Sequence, residues 1–404
     1  SEILLLSQDL DMDFIEKYED AGFDYVDAYL LANILHSFDK DFDLNDPWEV
    51  KDKNELATIA KLSGDEKDDA IADARQKQWS NKAVSEFYEP GSVFKIFTSC
   101  MALEEGVADT KTTEFYCPGY KEVEDQTIVC WLSWGHGHQH FPDIISNSCN
   151  PAFITLGLAL GGERFYKYFV GFGFTQPTGI DTLSEAVTNP GLYHGIDMST
   201  VDVATSSIGQ TFKITPIQMI TAISAVANGG YLLEPYLVSK VLDANGNVVS
   251  NKEPTIKRQV VSTETTKKVT EMLAAAVNGG GSKNVYVAGY RVAGKSGTAD
   301  KTETRLDGSN TVWGSFGTFA PADDPVIACL TIIDEPHSSN RFGSYVSGPV
   351  CQKILEQSLP YLGVEPVYTE EELAELENEK IRCLDINNQN YIRASEINKE
   401  KAQI

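Results

Sequence analysis

Three strand-length segments close together late in the chain constrain the fold most: Tyr290 to Ala299, Val312 to Phe319 and Val326 to Ile333. The last two are joined only by Pro321-Ala322-Asp323-Asp324-Pro325, short enough for a hairpin. The segments before them read as helices. Ser92 to Glu105 carries Phe94, Phe97 and Met101 on one stripe and stops at Gly106. Thr215-Pro216-Ile217-Gln218 is a capping box with proline in the first turn. Ile217, Ile220, Ile223 and Ala227 follow at helical spacing, with Gly229-Gly230 as the stop. Val269, Met272, Leu273 and Ala276 mark a further helix before Gly279-Gly280-Gly281. Helices first and hairpin-connected strands late predict an α+β domain with an antiparallel sheet.

The 404 residues allow two or three folding units. Thirty-three basic against 59 acidic residues give a net charge of −26, which repels phosphate polymers and argues against a nucleic-acid partner. No stretch is long and apolar enough to span a bilayer; the longest apolar run, Val326 to Ile333, is strand-sized and includes Thr331. No signal peptide is visible, and a first residue of Ser1 rather than methionine suggests a cut chain. Glu2 to Ser7 reads as a buried strand, Glu55 to Gln76 as surface helix, and Pro366 to Lys380 as a Glu-rich helical tail.

Three short motifs carry chemistry. In Ser92-Val93-Phe94-Lys95, hydroxyl and amine share one helix face at the positive end of the helix. A serine hydroxyl needs a base, and lysine serves only once its proton is lost. At an ordinary pKa of about 10.4, roughly one lysine in a few thousand is neutral at pH 7. Burial and a second cation would raise that fraction. Lys295-Ser296-Gly297-Thr298 offers such a cation on a strand. Lys295 and Gly297 should share one face, and Ser296 and Thr298 the other. Ser148-Cys149-Asn150 places a hydroxyl and an amide two residues apart, able to bond both a lysine and a substrate amide. Singly each motif is weak, and an ordinary helix serine or turn explains it. Jointly, in the order helix start, loop, strand, they match the Ser-x-x-Lys, Ser-Asp-Asn and Lys-Thr-Gly set of class A β-lactamases and penicillin-binding proteins.

From about Asp41 to about Tyr368 the chain resembles the class B penicillin-binding proteins, the monofunctional D,D-transpeptidases of division and sporulation, with the Gram-positive type closest. The resemblance rests on Tyr88-Glu89-Pro90-Gly91-Ser92, Gly135-His136-Gly137, Ser148-Cys149-Asn150-Pro151-Ala152-Phe153, Gly171-Phe172-Gly173 and Thr178-Gly179-Ile180-Asp181. It continues through Gly209-Gln210, Ala227-Asn228-Gly229-Gly230, Gly294-Lys295-Ser296-Gly297-Thr298-Ala299, Phe319-Ala320-Pro321 and Asp334-Glu335-Pro336. It implies a penicilloyl-serine-transferase fold, with an antiparallel sheet flanked by helices and an all-α subdomain. Residues 41–365 would be the transpeptidase domain, 1–40 a poorly placed segment, and 366–404 an acidic tail.

The resemblance further implies that Ser92 attacks the carbonyl between two terminal D-alanines and that Lys95 takes its proton. Ser148 would relay the proton, and Asn150 would hold Lys95 and the substrate amide. Lys295 would set the local potential. Ser296, Gly297 and Thr298 would bind substrate, with the Ser92 and Thr298 backbone N–H groups as oxyanion hole. An amine would resolve the acyl-enzyme, and β-lactams would trap Ser92. No cofactor or metal is implied. Implied partners are peptidoglycan stem peptides on lipid-linked precursor glycan, with polymerase and divisome-type membrane proteins docking through a missing amino-terminal region. The implied location is the extracytoplasmic face of the cell membrane, the anchor being absent from this chain. The alternatives within the fold are a serine β-lactamase or D,D-carboxypeptidase, and a non-catalytic β-lactam sensor or scaffold.

Departures are Cys149 where the β-lactamase set has Asp, and Ser296 where it has Thr. Cys117, Cys130, His136, His138 and His140 cluster within 24 positions, leaving a disulfide, a metal site and free thiols all open. Cys149 itself reads as a small core residue. Glu185 and Asn189 loosely match the pair that positions a deacylating water in class A β-lactamases, against a plain surface loop. The run Glu370 to Glu379 reads as a solvated helix face.

Overall fold

The computed structural model of the chain describes residues 2–4, 53–279, 283–301 and 311–374. In chain order, the elements that position the site are strand β1 (Glu2–Leu4), helix α1 (Lys95–Glu104), strands β2 (Glu114–Cys117) and β3 (Gly137–His140), and helices α2 (Asn150–Leu160), α3 (Pro216–Ala227) and α4 (Thr263–Gly279). Strands β4 (Ala293–Asp300), β5 (Val312–Ala320) and β6 (Ile327–Asp334) and helix α5 (Gly348–Tyr361) follow.

The main sheet runs β1-β6-β5-β4, so β4 is an edge strand among the described residues. The three late strands pair antiparallel as their spacing predicts, with Lys295 opposite Gly317 and Thr298 opposite Gly314. β1 is the exception to the expected all-antiparallel sheet: it lies parallel to β6, Glu2 opposite Ile327. The rest of the Glu2 to Ser7 expectation, the remainder of residues 1–40, and Gly280 and Gly281 lie outside the described residues.

Side chains on β5 alternate between two cores, as the period of two requires. Trp313 and Phe319 face the larger one, shared with α1, α2, α3 and α4. Phe316 and Ala320 face a smaller one closed by Cys351, Ile354, Leu355 and Leu359 of α5. The sheet is thus covered on both faces, which its uniformly buried central strand demands.

The all-helical part is built on aromatic packing. Phe94, Phe97, Phe165, Phe169, Phe172, Phe174 and Phe212 form a contiguous ring cluster, with Phe174 at 5.4 Å from Phe94 and 5.2 Å from Phe97 between centroids. α3 starts as the sequence dictates: the Thr215 hydroxyl accepts from the Gln218 N–H, and the Gln218 side chain returns a bond to the Thr215 N–H.

The tail differs in part from expectation. Glu370 and Glu371 are exposed, but Glu372, predicted on a solvated face, is buried. Its carboxylate accepts from the Tyr286 hydroxyl and from the Gly289 and Thr369 N–H groups, and Val367 N–H donates to the Gly289 carbonyl. Residues 367–372 are therefore fastened to the sheet domain.

Truncating Phe174 to Ala removes a ring from the centre of the aromatic cluster. Urea unfolding should show a loss of about 3–5 kcal/mol; a loss under about 1 kcal/mol would mean the cluster is not the core of this half.

Candidate active site

Ser92 sits in a 3-10 turn, Gly91–Phe94, that leads directly into α1 at Lys95. The turn is wedged against β4. Gly91 has φ of +54°, and a Cβ there would stand 2.8 Å from the Thr298 carbonyl oxygen. Gly91 N–H donates to the Gly209 carbonyl at 2.9 Å. From the sheet side, a Cβ on Gly297 would stand 2.6 Å from the Pro90 carbonyl oxygen. Backbone meets backbone along this seam, and only glycine at both positions allows it. The motif Glu89-Pro90-Gly91-Ser92 therefore fixes where the turn sits. It lays the serine turn on the strand that carries Lys295.

The Ser148 turn is built by local rules as well. Helix Phe141–Ser146 ends with Ser148 N–H bonded to the Ile145 carbonyl and Cys149 N–H bonded to the Ile144 carbonyl. That is the Schellman pattern, and it requires a left-handed residue, where glycine is usual. Ser148 takes it, at φ +49°, a conformation that costs a non-glycine residue of order 1 kcal/mol or more. Cys149 then caps α2, and Asn150 is its first residue. The sequence reading placed this motif in a loop; it is a hinge between two helices.

These elements bring Ser148 and Asn150 onto Lys95. Its Nζ is bonded to the Ser148 carbonyl at 2.9 Å, the Ser148 hydroxyl at 3.2 Å and Asn150 Oδ1 at 2.7 Å. The Asn150 amide is oriented by its Nδ2, which donates to the Val129 carbonyl at 3.1 Å. Lys95 is essentially unexposed, with the Phe153 ring 5.2 Å from its Nζ. Burial holds its pKa well below the usual lysine range, and the field of Lys295 lowers it further. A neutral amine has two protons and one lone pair. In that form the Ser148 carbonyl and Asn150 Oδ1 would accept the two protons, and the lone pair would be left to accept from a hydroxyl.

Lys295 is likewise buried, and desolvation lowers its pKa to about 7. Its Nζ donates to the Ser296 carbonyl at 3.0 Å. Faces alternate along β4 as predicted: Lys295 and Gly297 are buried, while Ser296 and Thr298 are partly exposed. The Thr298 hydroxyl accepts from the Gly343 N–H at 3.0 Å, which leaves its own proton free to donate. Gly343 is a contact that sequence reasoning missed; it lies 45 residues from Thr298, and no local pattern announces it.

Other candidates separate from this site. Glu185 is spent on its own loop, accepting from Thr178 N–H, Thr178 Oγ1 and Gly179 N–H at 2.5, 2.6 and 2.9 Å. Asn189 caps the short turn at Pro190–Leu192. Cys117 and Cys130 are free thiols, so the disulfide option is not realised. His136 joins them and His138 and His140 do not; Cys149, read from sequence as a core residue, is the fourth member of the group.

Residues 49–356 match the penicillin binding protein transpeptidase domain family. The chain is 41% identical over 288 residues to stage V sporulation protein D of Bacillus subtilis, covering 71% of this chain and 44% of the relative. It is 28% identical over 290 residues to a peptidoglycan D,D-transpeptidase of Mycolicibacterium smegmatis, covering 70% and 57%. Among solved structures, the D,D-transpeptidase domain of a peptidoglycan glycosyltransferase from Eggerthella lenta superposes with a TM-score of 0.63 at 26% identity, over 77% of this chain and 72% of that one. The chain spans about half the length of the curated relatives it matches.

Burying Lys295 penalises folding while it is charged. Its folded pKa of about 7 lies below the unfolded value, so between the two the unfolded chain holds more protons and stability rises with pH. Lys295→Met should therefore raise the unfolding free energy by a few kcal/mol at pH 6. The gain should shrink steadily as pH climbs above 7. Denaturant titrations at several pH values check this, and a gain that grows with pH contradicts the buried-amine reading.

Proposed function

Because the chain belongs to the penicillin-binding protein transpeptidase domain family, with the α+β fold of its solved members, we propose that it is a serine-type D-Ala-D-Ala transpeptidase that cross-links peptidoglycan stem peptides and is acylated by β-lactams. The observation that supports this most is the state of Lys95. It is a buried amine, held by Ser148 and Asn150, one helical turn from a serine that lies against a second lysine-bearing strand.

On this reading, Ser92 Oγ attacks the carbonyl carbon of the penultimate D-alanine, and its proton passes to neutral Lys95. The Oγ–C bond forms, the C–N bond to terminal D-alanine breaks, and the proton reaches the leaving amine through Ser148. Charge develops on the carbonyl oxygen, and the Ser92 and Thr298 N–H groups would receive it. The close approach of Gly91 to the Thr298 backbone supports that pairing. Ser296 and Thr298 would hold the terminal carboxylate, the latter with its unspent hydroxyl proton. Gly297 keeps the strand close to the serine turn, and the edge of β4, unpaired among the described residues, can take a peptide as an added strand. Burial lowers the Lys95 pKa most, and the field of protonated Lys295 lowers it further, which together favour its neutral form. An amine from a neighbouring strand then attacks the ester and restores Ser92.

The hydrolase alternative loses its main support with Glu185 and Asn189 committed to local caps. We extend the reading to peptidoglycan on the extracytoplasmic face of the cell membrane, with polymerase and divisome-type partners, on family membership alone. No described helix is long and apolar enough to cross a membrane.

Intact-mass spectrometry after exposure to benzylpenicillin should show one long-lived adduct that maps to Ser92 and vanishes in Ser92→Ala. Rapid loss of the adduct to water would identify a β-lactamase. An adduct without transfer of a donor peptide to any supplied amine would identify a sensor. Lys95→Arg keeps the charge but cannot give up its proton. Its acylation rate should fall by about 10²–10⁴-fold, and near-normal acylation would remove Lys95 as base. The wild-type acylation rate should rise with pH as Lys95 loses its proton. In Lys295→Met that rise should move to higher pH, because the repulsion that lowers the Lys95 pKa is gone.

A further inference from the structure

Behind the Ser148-Cys149-Asn150 turn, four side chains from separate segments meet: Cys117 at the end of β2, Cys130 after the ribbon strand Gln126–Val129, His136 before β3, and Cys149 at the cap of α2. Their ligand atoms all lie within 4.8 Å of one another, and the three thiols are buried and unoxidised. We propose that these four residues form a tetrahedral structural zinc site that clamps the Ser148-Cys149-Asn150 turn in place.

The donor set suits zinc. Three thiolates and one imidazole are a closed structural set, with no open position for water. Soft sulfur donors in tetrahedral array select zinc over magnesium or calcium. Bonds of about 2.3 Å to sulfur and 2.0 Å to nitrogen would place ligand sulfur and nitrogen about 3.5 Å apart. Cys130 Sγ stands 3.6 Å from His136 Nδ1. Binding needs no redox partner: three thiols release their protons to solvent, and three Zn–S bonds and one Zn–N bond replace water on the ion.

The surrounding excursion also needs such a staple. From Glu114 to His140 the chain forms two short ribbons whose large side chains Tyr116, Tyr120, Val129, Trp131 and Trp134 are exposed. Gly119 and Gly135, both at positive φ, let the segment carrying Cys117 pack backbone to backbone against the one before His136; a Cβ on Gly135 would stand 2.7 Å from the Gly119 nitrogen. The Cys130 N–H donates to the Gly119 carbonyl at 2.8 Å. Phe115 and Val123 anchor this tight knuckle to the core, while most of its large side chains stay outside, and a metal would fasten the turns around those two anchors. The same excursion orients the catalytic candidates: Val129 accepts from Asn150, and the Trp131 indole N–H donates to the Asn147 carbonyl at 2.8 Å. The role is one of positioning and leaves the proposed catalytic set unchanged.

The test is elemental analysis of the chain purified with zinc under mild reductant and dialysed free of loose metal. The expected result is about one zinc per chain in the wild type and in Cys100→Ser, which alters a buried thiol elsewhere, and near none in Cys130→Ser. Should Cys130→Ser fail to fold, cobalt exchanged into the wild type reads the site directly. A tetrahedral thiolate spectrum, together with a fall in melting temperature on chelation, supports the proposal. A folded wild type that retains no zinc and gives no such cobalt spectrum overturns it, as does a disulfide between any two of Cys117, Cys130 and Cys149 in the folded chain. Stripping zinc should also slow acylation by benzylpenicillin on the order of a hundredfold; an unchanged rate with the metal gone overturns the clamp. A wild type that holds zinc and is never acylated would refute the proposed reaction and leave the metal site standing.

Discussion

Two lysine amines buried within each other's field are the constraint around which the rest of this structure is arranged. Neither Lys95 nor Lys295 reaches water, and a charged ammonium in such a place is costly unless it is paired. No carboxylate accepts from either amine among the described residues. Carbonyls, a hydroxyl and an amide do so instead. Such partners hold an amine in position without forcing it to stay charged. The fold supplies them by ending one helix in a left-handed serine and starting the next at asparagine, so that both acceptors face the same nitrogen.

Much of this was legible wherever local rules govern. The capping box at Thr215, the stripe of Phe94, Phe97 and Met101, and the alternation of Lys295 and Gly297 against Ser296 and Thr298 all follow from period and end chemistry, and the structure repeats them. The three motifs were legible as a set because their order and local context are specific. What escaped depends on contacts across the chain. Nothing near Cys149 in sequence shows that Cys117 and Cys130 lie beside it. Nothing near Glu372 shows that Tyr286 and Gly289 cover it. Glu185 is the opposite case: it sits in a plain loop, its partners Thr178 and Gly179 are close in sequence, and turn chemistry accounts for it fully.

The helical half and the sheet half share a side-chain core, but at the Ser92 turn they meet main chain to main chain. At the Gly91–Thr298 and Gly297–Pro90 contacts there is no room for a methyl group. Side-chain interfaces can repack when a residue changes. A seam of this kind cannot, so the spacing between the Ser92 turn and the β4 edge is set by direct main-chain contact.

That rigidity decides where evolution has latitude. A lineage pressed to admit a bulkier donor peptide, or to shut out an antibiotic, gains little by altering the glycines, since each change would pry the halves apart and dismantle the reaction with the drug. Tolerated variation is channelled away from the seam instead, to exposed side chains such as the Trp134 indole, where shape can drift while the gap between nucleophile and strand stays fixed.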